Sequence, residues 1–123
     1  MSEILKIRAE RFLDTAKHQY QKGYFDLCAF SLEQAVQLFL KYSIWKILGD
    51  FEKTHKISEL LNSYKIASKE EKEIETLQKE FEETINDLEV AYIESRYIPA
   101  TFTKRQIEKM FDFVEKLKEI LKL

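Results

Sequence analysis

An all-α fold is predicted by three features of the sequence. Two glycines and one proline in 123 residues leave almost no material for the tight turns that a sheet requires. Apolar residues recur at three- and four-residue spacing through several long segments, as one face of a helix demands. A content of 45% hydrophobic and 34% charged residues supports a packed core and a well-solvated surface, which sets the chain apart from disordered sequences. A chain of this length forms one domain, residues 1–123, without needing disulfides or a structural metal.

The spacing predicts about five helices, four long and one short. The first, over about residues 3 to 22, places Leu5, Ala9, Phe12, Leu13, Ala16 and Tyr20 on one face, and Gly23 ends it. The second, over about 24 to 48, is apolar nearly all round. Asp26, Glu33, Gln34, Gln37 and Lys41 fall within an arc of roughly 100°, and most of the remaining circumference is Leu, Phe, Ala, Val, Ile, Tyr and Trp. One neighbouring helix cannot cover so wide a face, so core on one side and a dimer contact on the other are expected. Phe30, Gln34, Gln37, Phe39 and Trp45 are the candidate interface residues. With Phe39 read as pointing outward, Phe39→Glu is expected to split a homodimer and leave the helices intact.

Thr54 is predicted to cap a short third helix, HKISELLNSY, with Ile57, Leu60 and Leu61 facing inward. Ser68 and Glu71 form a capping-box pattern for a fourth helix running to about Ser95, with Ile74, Leu77, Phe81, Ile85, Leu88 and Tyr92 in register. Thr103 and Gln106 form a second such pattern. The fifth helix then runs to the C-terminus on Ile107, Met110, Phe111, Val114, Leu117 and Leu121.

A formal net charge of −2 gives no global basic field for nucleic acid, although a local patch remains open. Cys28, the single cysteine, lies in an apolar run and reads as a buried thiol in a reducing compartment. No signal-peptide core and no apolar run of about 20 residues is present, so a cytoplasmic location without membrane association is expected. The sequence holds no phosphate-cradling glycine loop, no carboxylate cluster with metal spacing and no nucleophile–base pair, and no cofactor is expected.

The order of features is similar to one family. A long first helix, a second beginning YFDLCAFSLEQAVQLFLK, then THKISELL, then a helix ending in SRYIP before a final amphipathic helix resemble the HEPN family (higher eukaryotes and prokaryotes nucleotide-binding) across essentially the whole chain. The run from Ser31 to Lys41, the Thr54–His55 start, and Arg96–Tyr97 with Pro99 carry the likeness. It implies an up-and-down helical bundle, usually a homodimer. It also implies a possible partnership with a small nucleotidyltransferase in a two-component system of toxin–antitoxin type, and a nucleotide or RNA as ligand. Nuclease branches of the family carry an arginine followed after four to six residues by a histidine. Arg96 matches the arginine, but no histidine lies C-terminal to it. Metal-independent RNA cleavage needs a group that exchanges a proton near neutral pH, and that role is vacant. The resemblance therefore implies a non-catalytic nucleotide-binding module. The alternatives are an unusual ribonuclease built on Arg96, Tyr97 and His55, or a purely structural oligomerisation protein.

The candidate nucleotide-binding residues are Arg96, Tyr97, Lys41 and His55, and each has a structural alternative. Arg96 either pairs with Glu94 or Glu89 while Tyr97 covers the end of the bundle, or it grips a phosphate while Tyr97 stacks on a base. His55 is either a surface residue of a helix start or, with Lys56, the mouth of a nucleotide site. Lys41 either meets a phosphate or ends a ladder from Glu33 through Gln37. His18 reads as solvated.

Overall fold

The computed structural model describes residues 2–97 and 101–123, with residues 2 and 94–97 described by backbone alone. Among the described residues there are six helices and no strands: α1 (Ser2–Lys22), α2 (Phe25–Leu48), α3 (Ile57–Ala67), α4 (Glu71–Glu80), α5 (Glu82–Tyr97) and α6 (Lys104–Leu121). Ala9, Leu13 and Ala16 of α1 are buried. The small residues at 9 and 16 let α2 approach closely, and α1 and α2 pack along their lengths as an antiparallel pair. Three side-chain bonds set their register: Tyr42 to Glu3 Oε1 at 3.2 Å, Cys28 Sγ to Ala16 O at 3.2 Å, and Ser31 to Gln19 Oε1 at 2.7 Å.

The turn between them rests on Gly23 at φ 78°, and α2 ends on Gly49 at φ 75°. Both lie in the left-handed region, where a side chain is costly. Lys118 donates to Glu10 at 2.8 Å and ties α6 back to α1. The predicted Thr103 capping box is formed: Thr103 Oγ1 accepts from Gln106 N, and Gln106 Oε1 accepts from Thr103 N.

Three local expectations are corrected. The fourth predicted helix is two, because Phe81 leaves the helical basin (φ −116°, ψ 29°). The hydrogen bonds Phe81 N to Leu77 O and Ile85 N to Phe81 O continue on either side. The Phe81 ring is buried, set edge-on to Phe113 with centroids 5.5 Å apart, so the chain bends at a side chain anchored in the core. Second, Ser68 caps the end of α3 and accepts from Glu70 N, while α4 starts at Glu71 without a side-chain cap. Third, α3 begins at Ile57. Thr54 lies outside it, accepting from Lys56 N and donating to Glu59 Oε1.

On α2 the side chains sort differently from expectation. Phe39 has no solvent exposure and sits in the core with Leu32, Val36 and Leu40. The apolar circumference gave no direction for it, and packing from several sides turned it inward. It is therefore no surface for a second copy, and Phe39→Glu would break the core. Gln37 is also buried, at 6% exposure, because its amide bonds to Glu33 inside the protein. Phe30, Gln34, Leu38, Lys41 and Trp45 remain partly open.

Candidate functional site

The extended segment before α3 carries His55 against the last turns of α5. The His55 and Tyr92 rings lie 4.5 Å apart, centroid to centroid, at 58°. Glu89, nearly one turn earlier on α5, accepts from both the backbone N–H and the hydroxyl of Ser58, at 3.2 and 2.9 Å. Ser58 is in the first turn of α3, so the carboxylate meets the unpaired N–H end of that helix, where negative charge is favoured. This joint holds the two helices together and shapes a cleft of about 260 Å³, lined by His55, Lys56, Ser58, Asn86, Glu89 and Tyr92 among others.

The cleft brings together an exposed imidazole, an exposed ammonium, a half-buried phenol ring and a carboxylate. Cations and a ring face are the chemistry that a nucleotide phosphate and base require. Arg96 stands four residues beyond Tyr92 on the α5 backbone, one helical turn further. The side chains of Arg96 and Tyr97, and Pro99 as a whole, lie outside the described residues. His18 is exposed, with Nδ1 2.9 Å from the Asp14 carbonyl.

Lys41 does not line this cleft. It belongs to a second polar group, on α2. Glu33 has no solvent exposure, and its carboxyl accepts from Gln34 Nε2 at 2.8 Å and from Gln37 Nε2 at 2.5 Å. Loss of water pushes the Glu33 carboxyl up to about 7; the two amide bonds and the Lys41 charge oppose this, and Glu89 adds to it. Burial likewise lowers the Lys41 ammonium from its usual range, while Glu33 holds it up. The Lys41 ammonium is 5.8 Å from the Phe51 ring centroid. The ladder expected from Glu33 through Gln37 is thus formed at its first step. The buried Glu33 carboxyl is satisfied within the chain by these two amides.

Ser58, Asn86, Glu89 and Tyr92 were not foreseen as site residues. Glu89, Tyr92 and Arg96 do recur at three- and four-residue spacing in the sequence, a signal that points to a shared face, but Tyr92 also continues the core register of that helix. Among the described residues no group of three or more His, Cys, Asp or Glu side chains is set to hold a metal ion. No described helix is long and apolar enough to cross a membrane.

No curated protein and no solved structure matches the chain significantly. The HEPN domain family model does match, over residues 2–123. With that match over essentially the whole chain and six helices among the described residues, the chain belongs to the HEPN family.

Proposed function

We propose that the chain is a nucleotide-binding and dimerisation module that does not itself cleave RNA, acting as the helical partner of a small nucleotidyltransferase in a two-component system of toxin–antitoxin type. The observation that carries the binding role is the cleft between α3 and α5, where His55, Lys56 and Tyr92 meet one turn before Arg96. The absence of any histidine after Arg96 supports the lack of cleavage. A phosphate would lie against the cationic edge with a base on the Tyr92 face. Calorimetry with nucleoside mono- and triphosphates and a short single-stranded RNA tests the binding role. Binding that is lost in Arg96→Ala and His55→Ala supports it, and no heat with any ligand removes it. Co-purification with the product of an adjacent nucleotidyltransferase gene tests the partnership.

A second reading is favoured by one observation. His55 reaches the end of α5 from a different part of the chain, so an imidazole stands near the arginine position although the local motif lacks one. An unusual ribonuclease would use His55 for proton transfer and Arg96 for the developing phosphorane charge. Incubation with single-stranded RNA and tRNA separates the two. Cleavage abolished by both His55→Ala and Arg96→Ala would replace the non-catalytic reading.

A further inference from the structure

The faces of α5 and α6 that meet near the break at Phe81 carry opposite charge. A cleft of about 570 Å³ opens between them, reached also by Lys79 and Glu80 of α4. On the α5 wall the charged residues are Glu82, Glu83 and Asp87, all acids; on the α6 wall they are Arg105 and Lys109, both bases. Among the described residues no ion pair joins the two walls. The Glu80 carboxylate is already taken by the Lys116 ammonium, and the Lys109 ammonium lies 6.0 Å from the Phe81 ring centroid. What spans the cleft is a neutral donor: Gln106 Nε2 donates to Asp87 Oδ2 at 3.2 Å. Burial pushes the Asp87 carboxyl up, the Gln106 amide opposes this, and Glu83 adds to it, so a positive charge beside the two carboxyls would be favoured. Two further groups stand at the same cleft. Thr84 is only 7% exposed and lines it, yet its hydroxyl takes part in no hydrogen bond among the described residues. The Thr76 hydroxyl, also on a helix, returns to the Lys72 carbonyl at 3.0 Å. A buried hydroxyl without such a partner is costly unless something else meets it. The second group is the start of α6, whose capping box occupies the N–H groups of Thr103 and Gln106 and leaves those of Lys104 and Arg105 at the positive end of the helix.

We propose that the α5–α6 cleft binds a small zwitterion, a free α-amino acid, with its carboxylate at the first turn of α6 beside Arg105, its ammonium between Glu83 and Asp87, and the Thr84 hydroxyl bonded to it. A simple anion would meet the carboxylates of Glu82, Glu83 and Asp87, and a cation alone would face Arg105 and Lys109. A divalent metal is not served either, since no described group of three acids is set to hold one. An α-amino acid carries its two charges on adjacent carbons, and the Gln106–Asp87 bond keeps the walls close enough for both to be met at once. The site shares no lining residue with the α3–α5 cleft, so it stands independently of the nucleotide reading above.

Calorimetry on the full chain tests this, with glycine, L-glutamate and L-lysine as ligands and acetate, methylammonium and inorganic phosphate as single-charge probes. At least one amino acid should bind saturably, with a dissociation constant of about 1 mM or tighter, and each single-charge probe should bind at least about tenfold more weakly. Thr84→Val keeps the shape of the side chain and removes the hydroxyl. It should weaken amino-acid binding about tenfold without lowering the melting temperature, because the hydroxyl it deletes has no partner in the free chain. Arg105→Gln and Glu83→Gln, both at exposed positions, should weaken binding in the same way from either wall. No saturable heat with any of the three amino acids would overturn the proposal. Acetate, methylammonium or phosphate binding as tightly as the amino acid would also overturn it, by marking an ordinary ion site. So would a Thr84→Val protein that melts lower, which would mean that the hydroxyl serves the fold.

Discussion

The side-chain amide of Gln37 donates to the Glu33 carboxyl at 2.5 Å, one helical turn away, where Glu33 meets no solvent. A carboxyl held this way makes stability depend on pH. Its ordinary value is 4.5, and burial carries it to about 7, so between these values the folded chain keeps a proton that the unfolded chain has released. Stability is then full below the unfolded value and falls as pH rises through the folded one. The loss from this group is on the order of 3 kcal/mol. In Glu33→Gln the amides can flip to restore their bonds, so this fall should vanish. Urea unfolding of both proteins at pH 5 and pH 8 measures it, and equal pH dependence in the two would contradict the assignment.

His55→Ala should cost stability little, because the residue is exposed and an aromatic pair is worth about 0.5–1.5 kcal/mol. Nucleotide affinity should fall about tenfold, the equivalent of about 1.4 kcal/mol. A thermal melt and a calorimetric titration on the same sample separate the two effects. A large drop in melting temperature with unchanged affinity would mark His55 as a structural residue.

Phe39 and Trp45 make a contrasting pair on one helix. Phe39→Ala empties a fully buried site and should cost about 3–5 kcal/mol. Trp45→Glu alters the part-open face of α2 and should convert the proposed dimer to a monomer in light scattering, with the helical circular dichroism retained. If Trp45→Glu unfolds the protein as Phe39→Ala does, Trp45 belongs to the core.

Thr103→Ala removes the hydroxyl that accepts from Gln106 N at the start of α6. The expected loss is about 1 kcal/mol. Chemical denaturation reads it directly, and Thr103→Ser should recover most of it.

Much of the architecture was already legible in the sequence, because it follows from neighbours along the chain. Helical spacing named the buried residues of α1 and most of those of α3 and α6, missing Tyr64 and taking the part-open Phe111 in place of Phe113; Gly23 marked the end of α1, and Thr103 with Gln106 marked the start of α6. Each is a matter of a few consecutive residues and their backbone bonds. The order of these pieces also carried the family, which the match over residues 2–123 establishes.

Three things were decided only by the tertiary structure. The direction of Phe39 was one: a helix apolar nearly all round has no hydrophobic face to read, and only packing from several sides turned Phe39 in and left Phe30 and Trp45 part-open. The break at Phe81 was another, since no glycine or proline marks it and the ring that anchors it packs on Phe113, thirty-two positions away in the chain. The third was the pairing of His55 with Tyr92. Periodicity orders residues within one helix, whereas this contact joins a connecting segment to a different helix, and only the docking of α3 on α5 through Ser58 and Glu89 brings the two rings together.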